Sequence, residues 1–542
     1  MIALYKSKPW TFISYTLALG LIIPVLVMLV GGISASTQLF SHLWQTVLPT
    51  YLVNTLWLGL LVVLLALFFG VISAAIITQT NVFFKQQLRW LLLLPMAMPA
   101  YLVAYLYTDL FDYAGPVQRM LRSTFTWNSP ADYWFFDIRT LPGASVMLAL
   151  VLFPYIYMLS RGAFEQQDEN LFRASRLLGL SAKKSFFKIA LPLARPAIAV
   201  AASLVLMETL ADFATVQYFA VNTLTTVIYD TWLGYGDIGA ANALASILML
   251  LILFAVLAEQ RSRAGLRHQS NRPNLNKELI QLSLSQQIMA SLFCWSLVVS
   301  GFLLPLALLI NMALEYSDVE QLTGLLSIGI NSLKMSVIAA TIAVFIALIL
   351  GLYQRLHSDK YAKIPQQISG FGYAIPGTVL AMAMLSTLGP LDHWLNDSAE
   401  FLGFTPPGLL LSGTIFAVVF ALVVRFSAIA NGTIISGIKQ IPHSLDYAPA
   451  TLGAKLNRSL IKVHLPLLKP AIVMAWLLVF VEAMKELPAV LILRPFNFET
   501  LSSKIYQLIS DEMLEQGALG AILIVLFGLL PIVMLNKSEK KI

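Results

Sequence analysis

The chain has 542 residues, of which 58% are apolar and only 12% charged, and its mean hydropathy is +0.78. Soluble globular chains carry about 25% charge and about 45–50% apolar residues, so a string of soluble domains is excluded. The net charge of +7 reads as basic cytoplasmic loops of a membrane protein, not as a nucleic-acid surface.

A helix of roughly 20 apolar residues crosses a bilayer. Twelve stretches qualify, near 11–32, 51–78, 88–111, 140–160, 196–220, 238–258, 287–313, 332–354, 366–389, 407–430, 470–493 and 515–536. The expected fold is all-α, with about 12 transmembrane helices. The first run follows Lys6 and Lys8, as a signal peptide would. It is about twice the 7–15 residues of a secretory apolar core, so a retained span is expected. Lys and Arg crowd 161–195, 259–286, 431–469 and the tail, whereas 33–50, 314–330 and 390–406 hold none. The loop 112–139 departs from this, with Arg119, Arg122 and Arg139. The balance places both termini of this multi-pass membrane protein in the cytoplasm.

Chemistry-bearing motifs are sparse. Cys294 is the single Cys, the six His are scattered, and Gly179–Ser185 lacks the second Gly of a phosphate loop. No catalytic residue, no firmly assigned metal ligand and no cofactor site is expected on this chain.

Order in the sequence is instead a repeat. Asn54-Thr-Leu56 answers Asn331-Ser-Leu333, and Pro99 answers Pro376, both 277 apart. Leu177 to Ile198 answers Thr451 to Ile472 without a gap, at an offset of 274. Thr223-Leu-Thr-Thr-Val-Ile-Tyr229 answers Thr500-Leu-Ser-Ser-Lys-Ile-Tyr506, and Ala243 to Leu248 answers Ala518 to Leu523. A duplicated six-span unit explains the preserved order. The expected halves are 1–260 and 287–542, joined by a cytoplasmic linker at 261–286. Each half carries a polar loop, near 162–195 and 431–469. In the first, a helix Leu171–Leu178 ends at Gly179 and a second helix near Ser181–Ile189 is expected to stop before Pro192. The second loop repeats the pattern at Leu445–Leu452, Gly453, Lys455–Val463 and Pro466.

These loops resemble the cytoplasmic EAA loop of ATP-binding-cassette (ABC) importer permeases, whose pattern is Glu-Ala-Ala, three residues, Gly, nine residues, Ile, one residue, Leu-Pro. The first copy reads Arg173-Ala174-Ser175, Gly179, Ile189, Leu191-Pro192; the second reads Tyr447-Ala448-Pro449, Gly453, Val463, Leu465-Pro466. The Glu is missing from both, and the Gly to Leu-Pro spacing is kept in both. The resemblance covers nearly the whole chain and implies the type I importer permease fold, with two homologous six-helix halves. It implies two copies of a cytoplasmic ABC ATPase, one at each loop, and a periplasmic substrate-binding protein. ATP and its hydrolysis would then belong to the partner subunit. Fused two-copy permeases of this size are similar to bacterial iron(III) importers and to thiamine importers. Leu210 to Phe219, with Gly234-Tyr-Gly-Asp237, and Met484 to Val490, with Leu493 to Thr500, look like the iron(III) type.

Acids lie inside two spans. Glu208 and Asp212 are spaced i,i+4, and Glu482 and Glu486 match them at the same offset of 274, with Lys485 between. About 12 residues beyond Pro196 and Pro470, at 1.5 Å each, puts them roughly 18 Å along the helix. A charge at that depth costs at least ~2.5–3.5 kcal/mol. Two readings stand: an acidic cation pathway, suited to a hard ion that takes oxygen ligands, or structural carboxylates with Lys485 as a charge partner. An ion-coupled secondary transporter is the alternative from another class, but such a protein needs no ATPase dock.

Overall fold

The computed structural model describes residues 8–33, 37–264, 279–316, 319–357, 360–451 and 456–539. Every regular element among them is helical. Twelve helices organise the chain: α1 (Lys8–Ile33), α2 (Leu48–Gln79), α3 (Ala100–Phe111), α4 (Leu141–Glu165), α5 (Leu191–Ala211), α6 (Ile238–Ala264), α7 (Leu284–Tyr316), α8 (Val319–Leu356), α9 (Gly377–Phe401), α10 (Ile415–Gln440), α11 (Leu465–Lys485) and α12 (Leu514–Glu539).

Among the described residues, ten helices are long and apolar enough to cross a membrane, and counting each of two sharply bent pairs as one span brings the number to twelve. The spans expected at 88–111 and 366–389 are the two bent pairs. Lys85–Ala97 meets Ala100–Phe125 at 91°, and Tyr361–Ala374 meets Gly377–Phe401 at 117°. Proline causes both breaks. Pro99 and Pro376 are the N-caps of α3 and α9, and the residues before them, Met98 (ψ 129°) and Ile375 (ψ 120°), are extended. A proline disfavours helical backbone in the residue before it, and its own ring lacks the N–H of a helix interior.

The Leu-Pro dipeptides behave differently. A five-residue π-helical turn precedes each of three of them: Phe186–Ala190 before Leu191-Pro192, Val299–Leu303 before Leu304-Pro305, and Leu460–His464 before Leu465-Pro466. The Leu N–H reaches back five residues, Leu191 to Phe186 and Leu465 to Leu460. The widened turn makes room for the proline ring, which would otherwise clash with the carbonyl four residues earlier. The helix expected to stop before Pro192 therefore runs on, continuous from Ala182 to Ala211.

Hydroxyls inside the spans donate back to the carbonyl four residues earlier, as Thr55 does to Tyr51, Thr78 to Ala74 and Thr209 to Val205. Such bonds satisfy polar groups where no water is available.

Packing gives two compact units that do not coincide with the sequence halves. One contains Met1–His42, Ile228–Met249 and Val319–Lys504; the other contains Leu43–Val227, Leu250–Asp318 and Ile505–Ile542. In the first unit, α8, α10 and α11 pack together and α1 lies on α9. Gly31 and Gly32 let α1 also pass close to α6, because a Cβ there would stand 3.1 Å from Asn242 Nδ2 and 2.7 Å from Ser246 Oγ. Asn242 also exchanges hydrogen bonds with Ser386 on α9, at 2.8 and 3.0 Å. In the second unit, α2, α4 and α5 form the core and α7 lies on α12.

Candidate functional site

The first loop is built by backbone logic. Asp168 caps the helix Glu169–Leu177 by accepting from the Asn170 N–H at 2.9 Å. Gly179 ends it with φ +78°; its N–H donates to the Arg176 carbonyl, and the Leu180 N–H donates to the Ser175 carbonyl. This paired-bond stop requires a left-handed residue. Ser181 then caps the helix that becomes α5. The tip leaves Leu177 and Leu178 89% and 83% exposed. Ala174 is exposed, whereas Ile189, Leu191 and Pro192 are half-buried along the root. That root is held by the Gln167 side-chain amide, which donates to the Ala190 carbonyl at 2.7 Å, and by a short contact between the Ser175 and Ser185 hydroxyls.

The second loop is anchored by charge. Asp446, in the helix Ser444–Thr451, accepts from Arg355 Nε at 2.9 and 3.1 Å and pairs with His464 Nε2 at 2.8 Å. Arg355 sits at the end of α8 and also donates to the carbonyls of Ile438, Ile441 and Pro442. Burial pushes the Asp446 carboxyl up, but the Arg355 and His464 hydrogen bonds and the Arg355 charge outweigh it and hold it below the usual carboxylate range. In the second copy, Val463 and Leu465 are half-buried and Pro466 is exposed. Ala448 lies in the Ser444–Thr451 helix, and Gly453 lies outside the described residues. Sequence reasoning passed over Asp446 and Arg355. The available signals were an acid one place before the missing Glu and a lone Arg ending an apolar span.

The intramembrane acids divide into two kinds. Asp212 and Glu486 stand where α5 and α11 end, with extended ψ of 134° and 124°, and each caps the short helix that follows. Asp212 accepts from the Thr215 hydroxyl at 2.9 Å and the Val216 N–H at 3.1 Å. Glu486 accepts from the Ala489 N–H and from Arg425 Nη1, each at 3.3 Å. Their own carbonyls accept from the Thr225 and Ser502 hydroxyls at 2.7 and 2.9 Å. The repeated motifs complete this frame twice. Thr55 Oγ1 accepts from the Leu224 N–H and Ser332 Oγ from the Leu501 N–H, while Asn54 and Asn331 donate to the carbonyls of Asn222 and Glu499.

Arg425 is a third residue that sequence reasoning missed. It is 7% exposed in α10 and supplies the cation that meets Glu486, and nothing matches it in the first half, where Val151 stands. Gly377 is needed beside this pair, since a Cβ there would lie 2.4 Å from Glu486 Oε1. Glu208 and Glu482 lie one turn earlier and are half-buried. Glu208 is close enough to Asp212 for their charges to interact, and Lys485 is the last residue of α11. No group of three or more His, Cys, Asp or Glu side chains is gathered closely enough to hold a metal among the described residues.

The family model for the inner-membrane component of binding-protein-dependent transport systems matches twice, over residues 66–263 and 343–542. The chain belongs to this family. The two matches restate the internal repeat and assign the fold to the type I ABC permeases. As a member, the chain is a permease component, not itself an enzyme, of a multi-pass inner-membrane system that works with a binding protein and an ATPase. It is similar to Fe(3+)-transport system permease protein FbpB 2 of Haemophilus influenzae, 25% identical over 428 residues, which are 77% of this chain and 80% of the relative. It is also similar to ferric transport system permease protein FbpB of Actinobacillus pleuropneumoniae, 24% identical over 457 residues, 80% of this chain and 63% of that longer protein. PhnU of Salmonella typhi, named for 2-aminoethylphosphonate transport, is 26% identical over 180 residues, 32% of this chain and 61% of the relative.

Proposed function

We propose that this permease moves iron(III) from a periplasmic binding protein into the cytoplasm, driven by ATP hydrolysis in a separate subunit. The observation that carries the substrate is coverage. The ferric relatives align along about three quarters of the chain, through both halves. The phosphonate relative aligns along a third.

Two ATPase subunits dock on the cytoplasmic side, one at each loop. The exposed pair Leu177 and Leu178 at the Gly179 tip supports the first dock, since apolar side chains held out on a capped elbow suit a partner's groove. Both termini lie on the same side as the docks. ATP binds to the partner, and this chain holds no cofactor of its own.

Force passes from dock to pathway along one element. Because the π turn keeps Ala182–Ala211 continuous, displacement of the loop tilts or rotates the helix that carries Glu208. The second loop reaches Glu482 in the same way through Leu460–Lys485. Glu208 and Glu482 are the pathway acids in this scheme. Asp212, Glu486 and Lys485 end the spans beside them and fix their setting.

The test is uptake of radioactive iron(III) into vesicles holding the permease with its ATPase and binding protein. ATP-dependent uptake is expected. Failure to take up iron, with transport of a phosphonate or thiamine instead, would contradict the assignment.

A further inference from the structure

One face of α3 carries a column of oxygen atoms that neither the docking nor the capping network uses. Tyr101, Tyr105 and Asp109 are spaced i, i+4 and i+8, so they stack along one side of the helix. Asp109 is exposed at one end of the column, and Tyr105 and Tyr101 are both buried, at 4% and 5% exposure. The Tyr101 hydroxyl is buried without a hydrogen-bond partner.

Other elements of the same compact unit complete the column. The Tyr218 ring lies 5.6 Å from that of Tyr105, and the Tyr506 ring lies 6.5 Å from that of Tyr101. The Tyr105 phenol oxygen lies near the Leu514 backbone, and the Glu515 and Asp109 carboxylates are close enough to act on it. At the mouth, Arg139 donates to Tyr218 Oη at 3.3 Å and to Glu512 at 3.1 Å.

Two features argue against an ordinary packed core. The matching positions of the second half hold Thr378, Met382 and Ser386, so the fold does not require the column. Glu512 adopts φ 57°, a strained conformation for a residue with a side chain, where the equivalent turn of the first half has Gly236 at φ 68°. A glutamate kept at a glycine position points to a use for its charge.

We propose that Tyr105, Asp109, Tyr218 and Glu515 form a transit site for a ferric ion, with Tyr101 as the next oxygen inward. This rests on the iron(III) reading above and names the groups that meet the ion. A trivalent hard cation prefers anionic oxygen donors. Two carboxylates alone are too few, and the phenols supply the rest. On binding, each phenol O–H bond breaks, an O–Fe bond forms and the proton leaves to water.

The test uses the purified permease–ATPase complex and the same complex in vesicles with its binding protein. Ferric nitrilotriacetate added to the wild-type complex should produce the visible charge-transfer absorption of an iron–phenolate bond. The paired change Tyr105→Phe and Tyr218→Phe keeps both rings. It should abolish that band and lower iron uptake by about 10–100-fold, while the ATPase still co-purifies. Asp109→Asn, at an exposed position, should weaken the band and the uptake in parallel. Wild-type iron uptake by both variants, or an unchanged band in the Phe pair, would overturn the site and leave the iron(III) reading standing. Absence of iron uptake by the wild type would overturn both.

Discussion

At the scale of single residues, the account turns on a few positions where one atom decides the outcome. Gly179 has open space around its missing Cβ, so replacement by Val meets no neighbour and costs only backbone strain, about 1–2 kcal/mol at φ +78°. The Gly179→Val permease should still assemble, and hydrolysis should continue with iron uptake strongly reduced; parallel assays of phosphate release and uptake check this. Arg425 is the opposite case. Arg425→Met strands the Glu486 carboxylate in a buried site, which typically costs about 3–5 kcal/mol, whereas Arg425→Met with Glu486→Met should recover most of that. Thermal unfolding of the detergent-solubilised protein measures both. The Asp446 anchor has a pH signature. Its folded carboxyl lies below the ordinary range, so it contributes stability above the unfolded value near ~3.9 and loses it as pH falls through the lower folded value. Hydrogen exchange across Ser444–Thr451 should stay slow to about pH 4 and accelerate below it, and the Asp446→Asn protein should show fast exchange at neutral pH.

At the scale of elements, the π turns link sequence to mechanism. Pro192 and Pro466 enforce an extra residue per turn, which sets the rotation of everything beyond them. An α-helix turns by about 100° per residue, so a regularised turn would swing Glu208 or Glu482 to another face. Pro192→Ala removes the constraint and should lower uptake while the ATPase still co-purifies. Glu208→Gln combined with Glu482→Gln should do the same for a different reason, loss of pathway charge without loss of shape. Wild-type uptake by that pair would make the two acids structural. Much at this scale was legible in the sequence. The motifs Asn54-Thr-Leu56 and Thr223-Leu-Thr-Thr226 proved to be the two sides of one hydrogen-bonded frame, repeated at Asn331 and Thr500. The breaks at Pro99 and Pro376 were not legible. Hydropathy registers composition over a window and is blind to a 91° bend within an apolar run. Helix continuity through Pro192 was also hidden, because proline usually ends a helix and the compensating turn leaves no mark in composition.

At the scale of the whole molecule, the duplication was readable and the packing was not. Repeat strings compare residues with residues, so they reveal two homologous halves. They carry no information on which spans pack together, and α1 lies with the second half's helices while α7 and α12 lie with the first half's. The pairings Arg355 to Asp446 and Arg425 to Glu486 escaped for a related reason: each joins elements 91 or 61 residues apart with no counterpart in the other half. The halves are therefore homologous in sequence and unequal in the side chains that anchor them. The first has a hydrogen-bonded loop root and a tyrosine column, and the second has a charge-anchored loop and a buried ion pair. One chain with one dock per half is a complete permease in this account. Native mass measurement of the purified transporter tests that most directly. The account predicts one copy of this chain with two ATPase subunits. Two copies of the chain, or a second permease subunit beside it, would contradict it.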